Sequence, residues 1–207
     1  TAIDISGGID GTDGSAQNLI IDSGTASVTI GSGTGTQVIG STEATALNKI
    51  EINKTNGGTK TGAITIDDIG TSTTYGAGTS GTTTDAVYIG NAHTTAVVLN
   101  GTQYNVNNSA YFQAAAAGSN DDIRLDGSSP TFQATNDTIT FETGVINLAA
   151  GLTTIQSNNG PITLTAVYGQ GDEDLTVDAG ASDAGNDATV SVGIIGHGTG
   201  TSTSEIS

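Results

Sequence analysis

The 207-residue chain contains 31 glycines and 36 threonines but no cysteine, methionine or tryptophan. Both abundant residues are poor in helix interiors, so the composition argues against a helical bundle and favours short strands joined by turns. The net charge of -17 would repel a nucleic acid backbone. The lack of cysteine excludes a disulfide framework and a thiolate zinc site, and no apolar run is long enough to predict a membrane-spanning helix.

The domain organisation follows from the even composition, which predicts a single domain over residues 1–207. The sequence opens at Thr1 without an initiator methionine, a basic segment or an apolar signal segment. We therefore expect a fragment or the mature part of a longer exported chain. Residues 70–85 are almost all glycine, threonine and serine, which predicts a flexible, exposed loop.

A short triplet recurs along the chain, in which apolar residues flank a middle residue that is usually polar. In a strand, the flanking side chains of such a triplet point to one face and the middle side chain to the other. Each triplet is therefore a minimal half-buried strand. Triplets of this kind, or close to it, begin at Ile3, Leu19, Val28, Gln37, Ile50, Ile64, Val87, Ile123, Ile139, Ile146, Thr153, Ile162 and Leu175.

The spacing of the triplets indicates the architecture. From Ile139 to Ile162 they follow one another in steps of 7, 7 and 9 residues, with glycines in the gaps that suit tight corners. Three such strand-and-corner units predict a parallel β-helix with about 20 residues per coil, about ten coils and a length of about 50 Å. A β-sandwich is the alternative, although its strands are usually longer and its core more aromatic.

The alanine run between Tyr104 and Gly118 is a local departure from the triplet pattern. It fits one helical turn closed by a glycine C-cap, or equally a strand edge with small side chains packed against a loop.

The segment from Ile123 to Val192 carries a resemblance to a known group. The phrases Ile139-Thr-Phe, Val145-Ile-Asn-Leu-Ala-Ala-Gly, Asn158-Asn-Gly-Pro-Ile-Thr-Leu and Asp174-Leu-Thr-Val-Asp-Ala-Gly resemble those of large repetitive bacterial exoproteins, the filamentous-haemagglutinin-like adhesins and related β-strand-repeat surface proteins. In that group such phrases form successive coils of a right-handed β-helix. The resemblance implies this fold and an exported protein. It indicates little about activity, since the same coil serves adhesins, cell-surface layers and fibres.

Calcium is the ligand that the acidic residues favour, because carboxylates on glycine-rich loops suit this ion. The larger candidate group comprises Asp172, Glu173, Asp174, Asp178, Asp183 and Asp187, and the smaller comprises Asp10 and Asp13. Neither matches the EF-hand loop or a run of calcium-binding nonapeptides, and turn capping by solvated aspartates is the alternative explanation. No cofactor is required by this interpretation.

Catalytic chemistry has little support in the sequence. The adjacent pairs Asp67–Asp68 and Asp121–Asp122 offer carboxylates, but neighbours on a strand face opposite ways, and Arg124 is the sole arginine available to stabilise developing negative charge. His93 and His197 lie about a hundred residues apart and do not form a zinc motif. We therefore predict a protein that is not an enzyme.

The leading functional hypothesis is an extracellular or cell-surface structural protein. It would assemble with copies of itself into a filament, a surface layer (S-layer) or an adhesin stalk, because the ends of a stack of parallel coils can accept further strands. The alternative is a calcium-dependent carbohydrate-binding module of an adhesin, with cell-surface glycans as partners. Neither hypothesis involves nucleic acid or a membrane span.

Overall fold

The computed structural model describes residues 2–12, 17–31, 37–55, 61–79, 85–115, 122–135, 137–149, 151–169, 173–180 and 188–197. Within these ranges the chain is all-β, as predicted, and it winds into a parallel β-solenoid of about 6 turns. In chain order the strands are β1 (Ile3–Ile5), β2 (Asn18–Ile21), β3 (Val28–Ile30), β4 (Val38–Ile39), β5 (Lys49–Ile52), β6 (Ile64–Ile66), β7 (Asp68–Ile69), β8 (Asp85–Gly90), β9 (Val97–Leu99), β10 (Gln103–Val106), β11 (Ser109–Gln113), β12 (Ile123–Leu125), β13 (Thr131–Ala134), β14 (Ile139–Leu148), β15 (Leu152–Ser157), β16 (Ile162–Gly169), β17 (Asp174–Ala179) and β18 (Val190–His197).

The strands stack in three columns. Column 1 contains β2, β5, β8, β11 and the first halves of β14, β16 and β18, and column 2 contains β1, β3, β6, β9, β12 and the second halves of the same three strands. Column 3 contains β4, β7, β10, β13, β15 and β17, and Ile9 adds an isolated bridge at its start. Every pairing between these strands is parallel, which confirms the predicted β-helix and excludes the β-sandwich alternative.

Coil length is where the prediction was wrong. Leu19 stacks on Ile50 and Ile50 on Val87, so the early coils are longer than 30 residues, whereas Ile139 stacks on Ile162 after 23. The short steps seen after Ile139 do not extend to the earlier coils, whose corners contain long insertions. About 6 turns at about 4.8 Å each give a solenoid about 30 Å long rather than 50 Å.

Aliphatic side chains fill the interior in continuous rows. The outer residues of each triplet point inward, and in-register pairing places each on its equivalent in the next coil. One row of column 2 contains Ile3, Val28, Ile64, Val97, Ile123, Ile146 and Val167. The middle residues point outward, as the triplet pattern predicted.

Four aromatic side chains pack together in the core. Phe112 stacks on Phe141 in column 1 with ring centroids 4.8 Å apart, and Tyr104 stacks on Phe132 in column 3 at 4.5 Å. Phe112 and Phe132 meet edge to face at 5.8 Å, which joins the two stacks across the interior. The phenol of Tyr104 accepts a hydrogen bond from the Gly101 amide and donates one to the Ile66 carbonyl, and burial raises its pKa.

The segment 70–85 differs from the predicted exposed loop over the part that is described. The backbone turns at Gly70 with a φ of +72°, and Ala77 is buried in the core, where it bridges Leu47 and Val106. Asp85 begins β8. Gly70 and residues 76–78 are therefore buried against the solenoid, Ser72 and Thr73 are exposed, and residues 80–84 lie outside the described part.

The segment after Tyr104 is strand, in β10 and β11, so the helical-turn alternative was wrong up to Gln113. Residues 116–118 lie outside the described ranges. No helix with the length and apolar character needed to cross a membrane occurs among the described residues.

We expect the aromatic stacks to dominate the stability of the middle coils. Phe132→Ala should lower the free energy of unfolding by about 3–5 kcal/mol, because it leaves a cavity between three other rings. Gln133→Ala, at the adjacent outward position, should change it by no more than about 0.5 kcal/mol. Urea unfolding followed by circular dichroism measures both, and similar midpoints for the two variants would contradict this account of the core.

Candidate functional site

The amino-terminal end of the solenoid exposes strand edges. In the described part of the chain, β1 pairs with β3 alone and β2 with β5 alone. The inward side chains of this first coil are only partly buried, whereas their equivalents in the middle coils are fully buried. They are Ile3, Ile5, Ile9, Leu19 and Ile21. This end therefore presents an aliphatic surface bordered by backbone groups that can pair with a further strand.

The carboxy-terminal end has the same character. Among the described strands, β17 pairs with β15 alone and β18 with β16 alone. Val190, Ile194 and Ile195 in β18 are 41%, 58% and 55% exposed. Leu175 and Val177 in β17 pack against the core on one side and are only partly buried. Large apolar residues at such exposure are candidates for an interface.

Two inward rows run from one end of the described solenoid to the other. In column 3, the row that begins with Ile9 continues through Ile39, Ile69, Tyr104, Phe132 and Ile155 to Val177. In column 1, the row from Leu19 ends at Val190. An aliphatic residue therefore stands at each end of both rows.

The larger predicted calcium group is only partly described. Glu173 is 6% exposed and directly precedes β17, where Asp174 and Asp178 point outward. Four residues of strand separate those two carboxylates by about 13 Å, which is too far for both to hold one ion. Asp172, Asp183 and Asp187 lie outside the described residues. No group of three or more histidine, aspartate or glutamate side chains placed to hold a metal occurs in the described part, and the calcium site stays a prediction.

Asp10, from the smaller predicted calcium group, connects the first two coils. Its Oδ1 accepts hydrogen bonds from the Ser41 amide at 2.7 Å and the Thr45 hydroxyl at 3.0 Å, and its Oδ2 accepts one from the Ser41 hydroxyl at 2.9 Å. Partial burial acts to raise the pKa of Asp10, but these hydrogen bonds outweigh it and hold the pKa below its ordinary value. Asp13 lies outside the described residues.

Other aspartates also bind the backbone of a neighbouring coil. Asp68 Oδ1 accepts hydrogen bonds from the amides of Thr102 and Gln103, at 2.6 and 2.8 Å. Asp122 Oδ2 accepts one from the Val145 amide at 3.2 Å. The adjacent carboxylate pairs considered for catalysis therefore contribute contacts between coils, as far as they are described. In the sequence, these aspartates lie directly before or soon after a triplet, but the sequence does not indicate which backbone amides they contact.

The remaining candidate residues lie apart from one another. Arg124, in β12, forms an ion pair with Asp126 at 2.6 Å. His93 is an exposed turn residue, and His197 ends β18.

A polar and aromatic cluster on the outer face of column 1 was not predicted. Tyr88 stacks on Tyr111 with centroids 4.4 Å apart, and Lys54 Nζ lies 4.6 Å from the centre of the Tyr88 ring. Lys54 also forms ion pairs with Glu51 and Asp85. Burial acts to lower the pKa of Lys54, but both carboxylates outweigh it and raise that pKa. Because neighbouring groups cover the Tyr88 ring on both faces, the cluster is a contact between coils rather than an open platform.

Comparison of the chain with protein-family models, with curated proteins and with solved structures found no match.

We expect the Asp10 carboxylate to stabilise the first coil in a pH-dependent way. Because the pKa of Asp10 is lower in the folded chain than in the unfolded chain, this stabilisation is present above the unfolded-state pKa and is lost as the pH falls through the folded-state value. Asp10→Asn should lower the thermal midpoint at neutral pH by about 1–3 °C. The difference from wild type should close below pH 3.8.

Asp4→Asn is the matched control, because Asp4 is an exposed residue of the same coil. Thermal unfolding across the acidic range measures both variants. An equal effect of Asp4→Asn, or an Asp10→Asn effect that persists at about pH 2, would contradict the role given to Asp10.

Proposed function

We propose that this protein is a non-enzymatic structural component of the cell exterior that assembles end to end into a filament, a surface layer or an adhesin stalk. The observation that carries the proposal is the pair of open ends: partly exposed aliphatic rows bordered by unpaired strand edges at both ends of the described solenoid. A strand edge of this kind adds a further strand through main-chain hydrogen bonds, and the aliphatic residues beside it offer that strand an apolar surface.

The occupant of each open end is a second copy of the chain. The two ends of a molecule differ, so head-to-tail contact repeats without closing and produces a filament when the rotation per molecule does not form a ring. The location outside the cell rests on the resemblance of residues 123–192 to bacterial exoproteins.

Filament formation is tested by replacing one apolar residue of the last coil. Ile195 pairs with Val167 of β16 and belongs to an inward row, so an incoming coil would cover its side chain. Ile195→Lys should abolish filaments or reduce association by at least about tenfold, because a lysine buried in an apolar interface loses its hydration. Electron microscopy and sedimentation velocity of the purified protein over a range of concentrations measure this effect.

Leu152→Lys is the matched control. Leu152 is a 44% exposed aliphatic residue of β15, a strand that already pairs on both sides, so this lysine should leave assembly unchanged. Dispersed wild-type monomers at every concentration would overturn the proposal, as would equal assembly by wild type and Ile195→Lys.

A further inference from the structure

The dipeptide Asn–Gly occurs three times in the chain, at 56–57, 100–101 and 159–160, and the structure describes the second and the third. This dipeptide is prone to deamidation. The amide nitrogen of the glycine attacks Cγ of the asparagine, and the missing glycine side chain leaves the approach open. The new N–Cγ bond closes a succinimide ring, and ammonia leaves with the proton from the glycine nitrogen. Water then opens the ring to give aspartate or isoaspartate.

Packing explains why a glycine stands at both described positions. A Cβ atom on Gly101 would overlap the Asp67 backbone of the preceding coil, and a Cβ atom on Gly160 would overlap the backbone of Asp137 and Thr138. A residue with a side chain would therefore fit at neither position without a shift of the backbone. Each asparagine is thus followed by the residue that leaves it most open to deamidation.

A buried hydroxyl holds the attacking nitrogen in both places. The Gly160 amide donates a hydrogen bond to Ser157 Oγ at 2.9 Å, and the Gly101 amide donates one to the Tyr104 hydroxyl at 2.8 Å. Ser157 is 0% exposed and Tyr104 is 2% exposed, so water does not compete for these hydrogen bonds. The glycine nitrogen has to lose its proton and move toward Cγ before it can attack, and the hydrogen bond opposes both changes.

Each hydroxyl is itself fixed by a second hydrogen bond. Ser157 Oγ donates to the Asp137 carbonyl at 2.8 Å, and the Tyr104 hydroxyl donates to the Ile66 carbonyl at 3.2 Å. Both carbonyls belong to the preceding coil. Since the hydroxyl proton is used there, the oxygen lone pairs are available to the glycine amide. The contact between coils therefore orients the acceptor.

We infer that these two buried hydroxyls protect two latent modification sites from deamidation. Ser157 protects Asn159, and Tyr104 protects Asn100. Asn159 is exposed to solvent, so access of water does not limit its reaction. The step that the structure controls is ring closure, which has to break the hydrogen bond and displace a corner packed against the preceding coil. The inference does not depend on end-to-end assembly, since it concerns each copy by itself.

The test measures deamidation in two variants that each remove one hydroxyl. Ser157→Ala removes the acceptor of the Gly160 amide, and Tyr104→Phe removes the acceptor of the Gly101 amide but keeps the ring that stacks on Phe132. The folded proteins are incubated at mildly alkaline pH, and peptide mapping by mass spectrometry measures aspartate and isoaspartate at each site. Circular dichroism under the same conditions establishes that each variant is folded.

Each variant is the matched control for the other. Ser157→Ala should raise the rate at Asn159 by about 3- to 10-fold, the factor that corresponds to one neutral hydrogen bond, and should leave Asn100 unchanged. Tyr104→Phe should raise the rate at Asn100 by a similar factor and leave Asn159 unchanged. In the folded wild type, both sites should react more slowly than in the same chain unfolded in urea.

Three results would overturn the inference. One is an unchanged rate at the asparagine beside the missing hydroxyl. Another is an equal rise at both asparagines in each variant, which would show that a general loosening of the fold is responsible. The third is a wild-type rate as high in the folded chain as in urea. If Ser157→Ala does not fold, Tyr104→Phe and the comparison with urea still decide the question.

Discussion

Parallel, in-register pairing of each strand with its equivalent one coil later is the constraint on which the molecule depends. This pairing satisfies the backbone polar groups, and it also places each side chain on the side chain at the same position of the next coil. Aliphatic residues consequently stack on aliphatic residues, and Phe112 stacks on Phe141. A thin core poor in aromatic residues is sufficient, since every inward position contributes to a continuous row.

The same constraint explains the role of many acidic residues. A carboxylate at a corner lies next to the turn of the neighbouring coil, where backbone amides lack strand partners and need an acceptor. Asp68 accepts two such hydrogen bonds and Asp10 accepts one in addition to those from hydroxyl groups. The corner that follows β5 in column 1 contains an asparagine instead. Asn53, which has a φ of 55°, accepts a hydrogen bond from the Ser23 amide on one side and one from the Asn91 side chain on the other. Polar corners therefore hold successive coils together where the strands end.

Much of the fold could be predicted from the sequence because a triplet that buries two side chains is a local signal. Every triplet identified in the sequence, including those at Ile3, Ile64 and Ile123, lies wholly or largely within a strand. Coil length was not predictable from the triplets, because it depends on insertions that carry no periodicity. Val97–Leu99 was missed although it resembles the triplet at Leu19, which also has an apolar middle residue, and Thr131–Ala134 was missed because it has only one large apolar residue.

The candidate site was harder to predict than the fold. The sequence indicated that coil ends can accept strands, but the row that runs from Ile9 to Val177 depends on pairings across the whole column. Likewise, the partners of Asp10 and Asp68 are about 30 residues away along the chain. Contacts of that kind follow from the number of residues in each coil, which is the quantity that the sequence pattern left undetermined.

The four stacked aromatic rings lie in β10, β11, β13 and β14, toward the middle of the solenoid rather than at either end. In a molecule whose coils contact only their neighbours, local stability follows the quality of each coil and its two interfaces. Backbone amide exchange should accordingly be slowest in these central coils and faster toward β1 and β18. The terminal coils should thus open more readily than the central coils, which maintain the register of the solenoid.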